Sequence, residues 1–158
     1  MPVSMTRTVN QMSWFDFACA YVDMKWPDLS GNSRKGIAET LTSVTPAMLS
    51  SSHRKPDQET IRAALLGWAF NADRRDRVDP PGQVRTALKW LAANSRPVED
   101  LAEPERLREV MQLIATRLDG KASAASVVHR KRAVLHNALD YAVERNLLAR
   151  NPLPELKW

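Results

Sequence analysis

Residues 121–152 read KASAASVVHRKRAVLHNALDYAVERNLLARNP and carry the strongest pattern in the chain. Val128, Leu135, Leu139, Ala142 and Val143 recur at helical spacing and fall on one face, which predicts a long helix over about 123–145. Ser123 or Ser126 is placed to cap its start, since a hydroxyl satisfies first-turn amides that have no partner within the helix. Asn146 fits its end, where a left-handed residue is often required. Asn151-Pro152 stops any continuation, because the residue before a proline is steered out of helical backbone.

The first half of this helix is basic. His129, Arg130, Lys131 and Arg132 are consecutive, so they fan around much of its circumference. At about 100° per residue, Arg130 points away from the apolar face and Lys131 and Arg132 flank it. Such a helix buries its back and offers its cationic side to an anion. The free amides at its start add to that attraction.

The placement of charge agrees. The chain has a net charge of +5. Residues 121–158 hold seven Lys/Arg against three Asp/Glu, whereas residues 1–120 hold sixteen against fifteen. The excess is focused at the C-terminal end and points to a directional anionic partner. A solvated face of long cationic side chains is the alternative.

At 158 residues the chain is long enough for one domain with a proper core, or two small ones. Glycine is scarce and alternating β-branched runs are nearly absent, so the expected class is all-α. The single cysteine, Cys19, excludes an internal disulfide and a multi-cysteine metal cluster. Lying beside Phe17, Ala18 and Tyr21, it reads as a buried thiol rather than a nucleophile. No apolar run approaches the ~18 residues of a membrane span, and no signal peptide is visible. The expectation is a soluble, cytoplasmic protein without a membrane partner.

In chain order, residues 1–12 read as a flexible lead-in. Trp14, Phe17, Ala18 and Tyr21 form a helical stripe over 13–25, ended by Pro27. Residues 30–44 predict a second helix with Ile37, Ala38, Leu41 and Val44 inside. Arg34 and Lys35 fall in its first turns, where cations oppose the helix dipole. Either solvent screens them or an outside anion compensates. Residues 45–56 form a connector containing Ser50, Ser51, Ser52, His53, Arg54 and Lys55. A third helix over 57–71 is lined by Ile61, Leu65, Trp68 and Ala69, and the mixed-charge run 73–79 reads as a solvated loop. Pro80-Pro81 opens a fourth helix through about Asn94, with Trp90 off its stripe and placed to cover a neighbour. After a turn over 97–101, residues 104–118 predict a fifth helix whose face is Leu107, Val110, Met111, Ile114 and Leu118, closed by Asp119-Gly120. The tail 153–158 is short and extended in character. The sum is a compact bundle of about five to six helices.

Chemistry-bearing motifs are lacking. There is no GxxxxGK[ST] phosphate loop, no HExxH and no Cys/His cluster. His53, His129 and His136 are too scattered for a metal site, and nothing positions a Ser/His/Asp set. No cofactor is expected. Tyr21 and Tyr141 lie inside predicted helices and read as packing residues.

The segment SVVHRKRAVLHNALDYAVERNLLARNP resembles the last helix of the core-binding domain of tyrosine recombinases, the phage integrase family. The family pattern is a Ser/Thr-led helix, a basic cluster, an apolar segment with Ala-Leu-x-Tyr-Ala, a polar turn, then Asn-Pro. Its elements here are Ser126, Arg130-Lys131-Arg132, Val134-Leu135, Ala138-Leu139, Tyr141-Ala142 and Asn151-Pro152. The earlier SRKGIAETLTSVTP is similar to the family's helix followed by Val-Thr-Pro. The resemblance spans residues 13–158 and is specific only over the last part, since helical bundles share patterns freely.

The resemblance implies a SAM-like helical bundle over 13–152 that grips double-stranded DNA near the crossover site, followed by the start of a linker at 153–158. It implies a fragment of a longer DNA-integration or DNA-recombination protein. Its partners are DNA, the catalytic domain of the same parent chain and other recombinase protomers. The family's tyrosine, arginine, lysine and histidine catalytic set belongs to a domain beyond Asn-Pro, and the six residues after Pro152 do not contain it. DNA binding is therefore carried over and strand cleavage is not. The expected DNA contacts are Lys121, Ser126, His129, Arg130, Lys131 and Arg132, with Arg34 and Lys35 joining if the two helix starts share a face. Two rivals stand beside this reading: a helix-turn-helix transcription regulator, and a helical protein-interaction domain whose basic run is merely solvated.

Overall fold

The computed structural model describes residues 11–158, so most of the expected lead-in lies outside the described residues. Among those described, the fold is all-α. It comprises seven α-helices joined by 3₁₀ turns, with only three isolated bridges.

Helix α1 (Trp14–Lys25) starts where the Ser13 hydroxyl accepts from the Asp16 amide, and Asp16 itself suits the positive end of the helix. Its buried face is Trp14, Phe17, Ala18, Tyr21 and Val22. Helix α2 (Gly31–Val44) is capped by Ser30 and packs against α1, α6 and α7, so it forms the spine of the bundle (α6 and α7 span Pro104–Ile114 and Ala125–Glu144). Three threonines at the end of this spine are buried, yet none is orphaned. Thr40, Thr42 and Thr45 each donate to the carbonyl four residues earlier, at 2.7–2.8 Å.

Helix α3 (Gln58–Ala64), capped by Asp57, runs into a π-helical turn at Leu65–Ala69, where the Phe70 amide donates to the Leu65 carbonyl. The mixed-charge run that reads as a loop is instead helix α4 (Ala72–Arg77). Asn71 caps it, and its charges are used by the fold. Arg74 stacks on the Trp68 ring at 4.1 Å, and Arg75 forks onto Asp23 at 2.7 and 3.1 Å. A local pattern of alternating sign cannot reveal a partner as distant in sequence as Asp23.

Helix α5 (Gly82–Ala93) follows Pro81, which occupies the cap position rather than the first turn. Trp90 covers the loop before α3, donating to the His53 carbonyl at 2.8 Å. Helix α6 ends at Ile114, short of the expected Leu118. The chain then reverses through a turn in which Thr116 bridges Ala122 and Gly120 takes φ +84°, a left-handed value that suits glycine. Leu118 therefore leaves the apolar face and is 72% exposed.

Helix α7 (Ala125–Glu144) buries Leu135, Ala138, Leu139 and Ala142, while Val128 and Val143 are half-buried. Neither Ser123 nor Ser126 caps it: Ala124 holds the cap position, and no side chain satisfies the first turn. Asn146 ends it with φ 62°. The tail is not extended. Leu153–Glu155 forms a 3₁₀ turn, Leu153 is fully buried, and the Asn151 amide donates to the His136 carbonyl and to Asp140.

Candidate nucleic-acid interface

Helices α2 and α7 lie side by side and run in opposite directions. Val134 and Asn137 of α7 sit beside Gly36 and Ile37, while Lys131 sits lower, beside Glu39 and Ser43. Two clefts follow this seam. The first, about 650 Å³, carries Lys25, Lys35 and Arg130 on its walls, with Glu39 as its acid. The second, about 410 Å³, carries Arg62, Arg117 and Lys131, with Glu39 and Asp119. The seam thus aligns cations from five places in the sequence.

Their availability differs. Lys25, Lys35, Arg62 and Arg130 make no ion pair among the described residues. Arg117 is held by Asp119 at 2.7 Å. Lys131 donates to the Ser43 hydroxyl at 2.9 Å. Burial pulls its pKa below the ordinary lysine value, and Arg130 and Arg62 act in the same direction against Glu39. A partly desolvated ammonium among cations is better satisfied by an anion from outside.

The Tyr21 hydroxyl donates to the Asn137 side chain, and burial holds that phenol neutral by raising its pKa. Tyr141 packs on Phe17 and Tyr21 with ring centroids 5.9 and 5.8 Å away, which is a packing role. Cys19 is similarly inert: burial pushes its thiol up to about 11.

The expected contact residues separate in the structure. Arg130, Lys131 and Lys35 come together on the seam, so the starts of α2 and the basic run of α7 do share a face. Arg34 turns the other way. It donates to the Trp26 carbonyl at 2.7 and 3.1 Å, lies 4.5 Å over the Trp26 ring and pairs with Asp73 at 3.4 Å. The cation in the first turn of α2 is thus compensated inside the molecule. Arg132 faces the tail and reaches the Leu153 carbonyl at 3.4 Å. Lys121, Ser126 and His129 are exposed, on the 116–122 turn and on α7, and line neither cleft. Lys25, Arg62 and Arg117 were not legible as site residues, because each sits in an unremarkable local sequence and reaches the seam only through packing. His136 lies 3.5 Å from Asp140, and no group among the described residues is built to hold a metal.

No family model, no curated protein and no solved structure matches the chain.

Proposed function

We propose that this chain is a DNA-binding module, the SAM-like core-binding domain of a tyrosine recombinase of the phage integrase family, acting in DNA integration or recombination. The observation that carries the reading is the α2–α7 seam, where Lys25, Lys35, Arg62, Arg130 and Lys131 line two adjoining clefts with little acid between them. Cations that a fold leaves unpaired and aligns along one face form the electrostatic footprint of a polyanion. Most of these contacts would meet phosphates, which position a duplex without reading its sequence. Strand cleavage would come from a catalytic domain of the parent chain, and the module would work beside other protomers on DNA. Tethering to that domain would raise the effective concentration of a weak first grip.

The test is a fluorescence titration of a labelled duplex at low and at physiological salt, with Arg130→Ala and Lys35→Ala in parallel. With only a handful of phosphate contacts, binding should weaken steeply as salt rises, and each variant should flatten that slope by about one unit. A protein that ignores DNA at low salt, or binds it equally well in both variants, overturns the assignment.

A further inference from the structure

Next to the seam lies a third cleft of a different character. It holds about 350 Å³ between the end of α2, helix α3 and the end of α6. Its apolar walls come from Leu49, Ile61, Leu65 and Leu113. Three cations, Lys55, Arg62 and Arg117, line it and no Asp or Glu does. Leu118 stands on its lip, 72% exposed.

That leucine is presented, not merely left out. The Arg117 amide donates to the Lys121 carbonyl at 2.7 Å and the Gly120 amide to the Arg117 carbonyl at 2.9 Å. Asp119 accepts from the Lys121 amide at 3.0 Å and from the Arg117 guanidinium at 2.7 Å. The Ser123 amide then ties the turn to Ala115 at 2.8 Å. A turn held by hydrogen bonds on both sides of Leu118 loses little entropy when something docks on it. An exposed leucine on such a turn beside an apolar cleft has the form of an anchor.

We infer that this cleft docks a segment of a partner protein in which a large apolar side chain is flanked by carboxylates. Apolar walls take the side chain, as in recognition of an amphipathic helix by a groove, and Lys55 and Arg62, which make no ion pair among the described residues, take the carboxylates, Arg117 being held by Asp119. The cleft has room for one or two large side chains. It has no aromatic wall on which a base would stack, so a peptide suits it better than an extruded nucleotide. The cleft shares Arg62, Arg117 and Leu118 with the second seam cleft, but Lys55 and the apolar walls Leu49, Ile61, Leu65 and Leu113 line neither seam cleft, which separates this inference from the DNA reading.

The experiment is a selection of random short peptides displayed against the intact chain, followed by anisotropy titration of the recovered sequences. Recovered peptides should pair Asp or Glu with Leu, Ile, Phe or Trp. Their affinity should fall about tenfold in Leu118→Gln and in Lys55→Gln, and remain unchanged in Arg130→Ala. Circular dichroism of the two surface variants checks that they are folded. The inference is overturned if selection shows no acidic enrichment, if oligo-glutamate binds as tightly as the recovered peptides, or if Leu118→Gln leaves their binding intact. Loss of duplex binding in Lys55→Gln as large as that in Arg130→Ala would likewise overturn it, by assigning the cleft to DNA.

Discussion

Lys131 on α7 donates to the Ser43 hydroxyl on α2 across a gap of 2.9 Å, and this bond places a lysine where the fold itself does not want a charge. Burial is the largest influence on its ammonium, and Arg130 and Arg62 add repulsion that Glu39 only partly offsets. Arg117 and Asp119 face the same cleft and largely cancel, being paired. The folded pKa therefore lies below the ordinary 10.5.

A lysine whose pKa falls on folding opposes folding while it is charged. Its unfavourable contribution is fully present at neutral pH. It fades as pH rises through the lowered folded pKa towards the unfolded value, because there the unfolded chain binds more protons than the folded one. Lys131→Met should accordingly melt at the same temperature as the parent or higher at neutral pH, with the gap narrowing in alkaline buffer. The same variant should bind duplex DNA less tightly. Calorimetry across pH together with one DNA titration checks both. A variant that melts well below the parent would show that Lys131 serves the fold instead.

Arg34 and Lys35 are neighbours in sequence with opposite assignments. Arg34 satisfies the Trp26 carbonyl, covers its ring and pairs with Asp73, whereas Lys35 forms no ion pair among the described residues and lines the seam. Arg34→Met should cost about 1–2 kcal/mol of stability, the range of a cation–π contact with charged hydrogen bonds, and leave the DNA salt slope nearly unchanged. Lys35→Met should do the reverse. Chemical denaturation and DNA titration of the pair check it, and identical behaviour of the two variants would remove the distinction.

Buried apolar faces were the part of this molecule that the sequence made readable. The stripes of Trp14–Phe17–Tyr21, Ile37–Leu41–Val44 and Leu107–Met111–Ile114 repeat at helical spacing, and all are in the core. Periodicity reports which side is inside, and little else. It missed α4, whose helix is held by a cap and by arginines reaching Trp68 and Asp23. It carried α6 on to Leu118, since an apolar residue in register looks the same whether the helix has ended or not. In the candidate site, the basic run of α7 was visible because four residues were consecutive. Lys25, Arg62 and Arg117 were not, since nothing local marks a cation that packing will bring to a seam. Arg34 shows the converse: adjacency to Lys35 in sequence says nothing about which way a side chain turns.

Thr45 holds two buried groups at once. Its hydroxyl donates to the Leu41 carbonyl at 2.8 Å and accepts from the Trp14 indole at 3.1 Å, and both side chains are closed to solvent. Thr45→Val keeps the shape and strands the indole N–H, which should cost about 1–3 kcal/mol. Adding Trp14→Phe removes the stranded donor but opens a cavity. The double-mutant cycle should therefore show coupling between the two sites and not simple addition. Additive losses would mean that the indole finds another acceptor.

The segment after α7 carries the last prediction. Asn151 donates to the His136 carbonyl at 3.0 Å and to Asp140 at 2.8 Å, while its side-chain oxygen accepts from the Leu153 amide at 3.0 Å. This folds the Asn-Pro turn back along α7 and drops Leu153 into the core, where it is completely buried. Arg132 then reaches the Leu153 carbonyl from the same helix. The tail is thus part of the bundle as far as Leu153, and Leu153→Ala should cost about 2–5 kcal/mol, the range for emptying a buried leucine site. Asn151→Ala should cost less, about 1–2 kcal/mol, because its bond to Asp140 is exposed and the other two are only partly buried, so water can replace part of what is lost. Arg132→Ala should weaken stability slightly and DNA binding little, in contrast to Arg130→Ala. Urea denaturation of the three variants ranks them, and a Leu153→Ala protein as stable as the parent would show that the tail merely rests on the bundle.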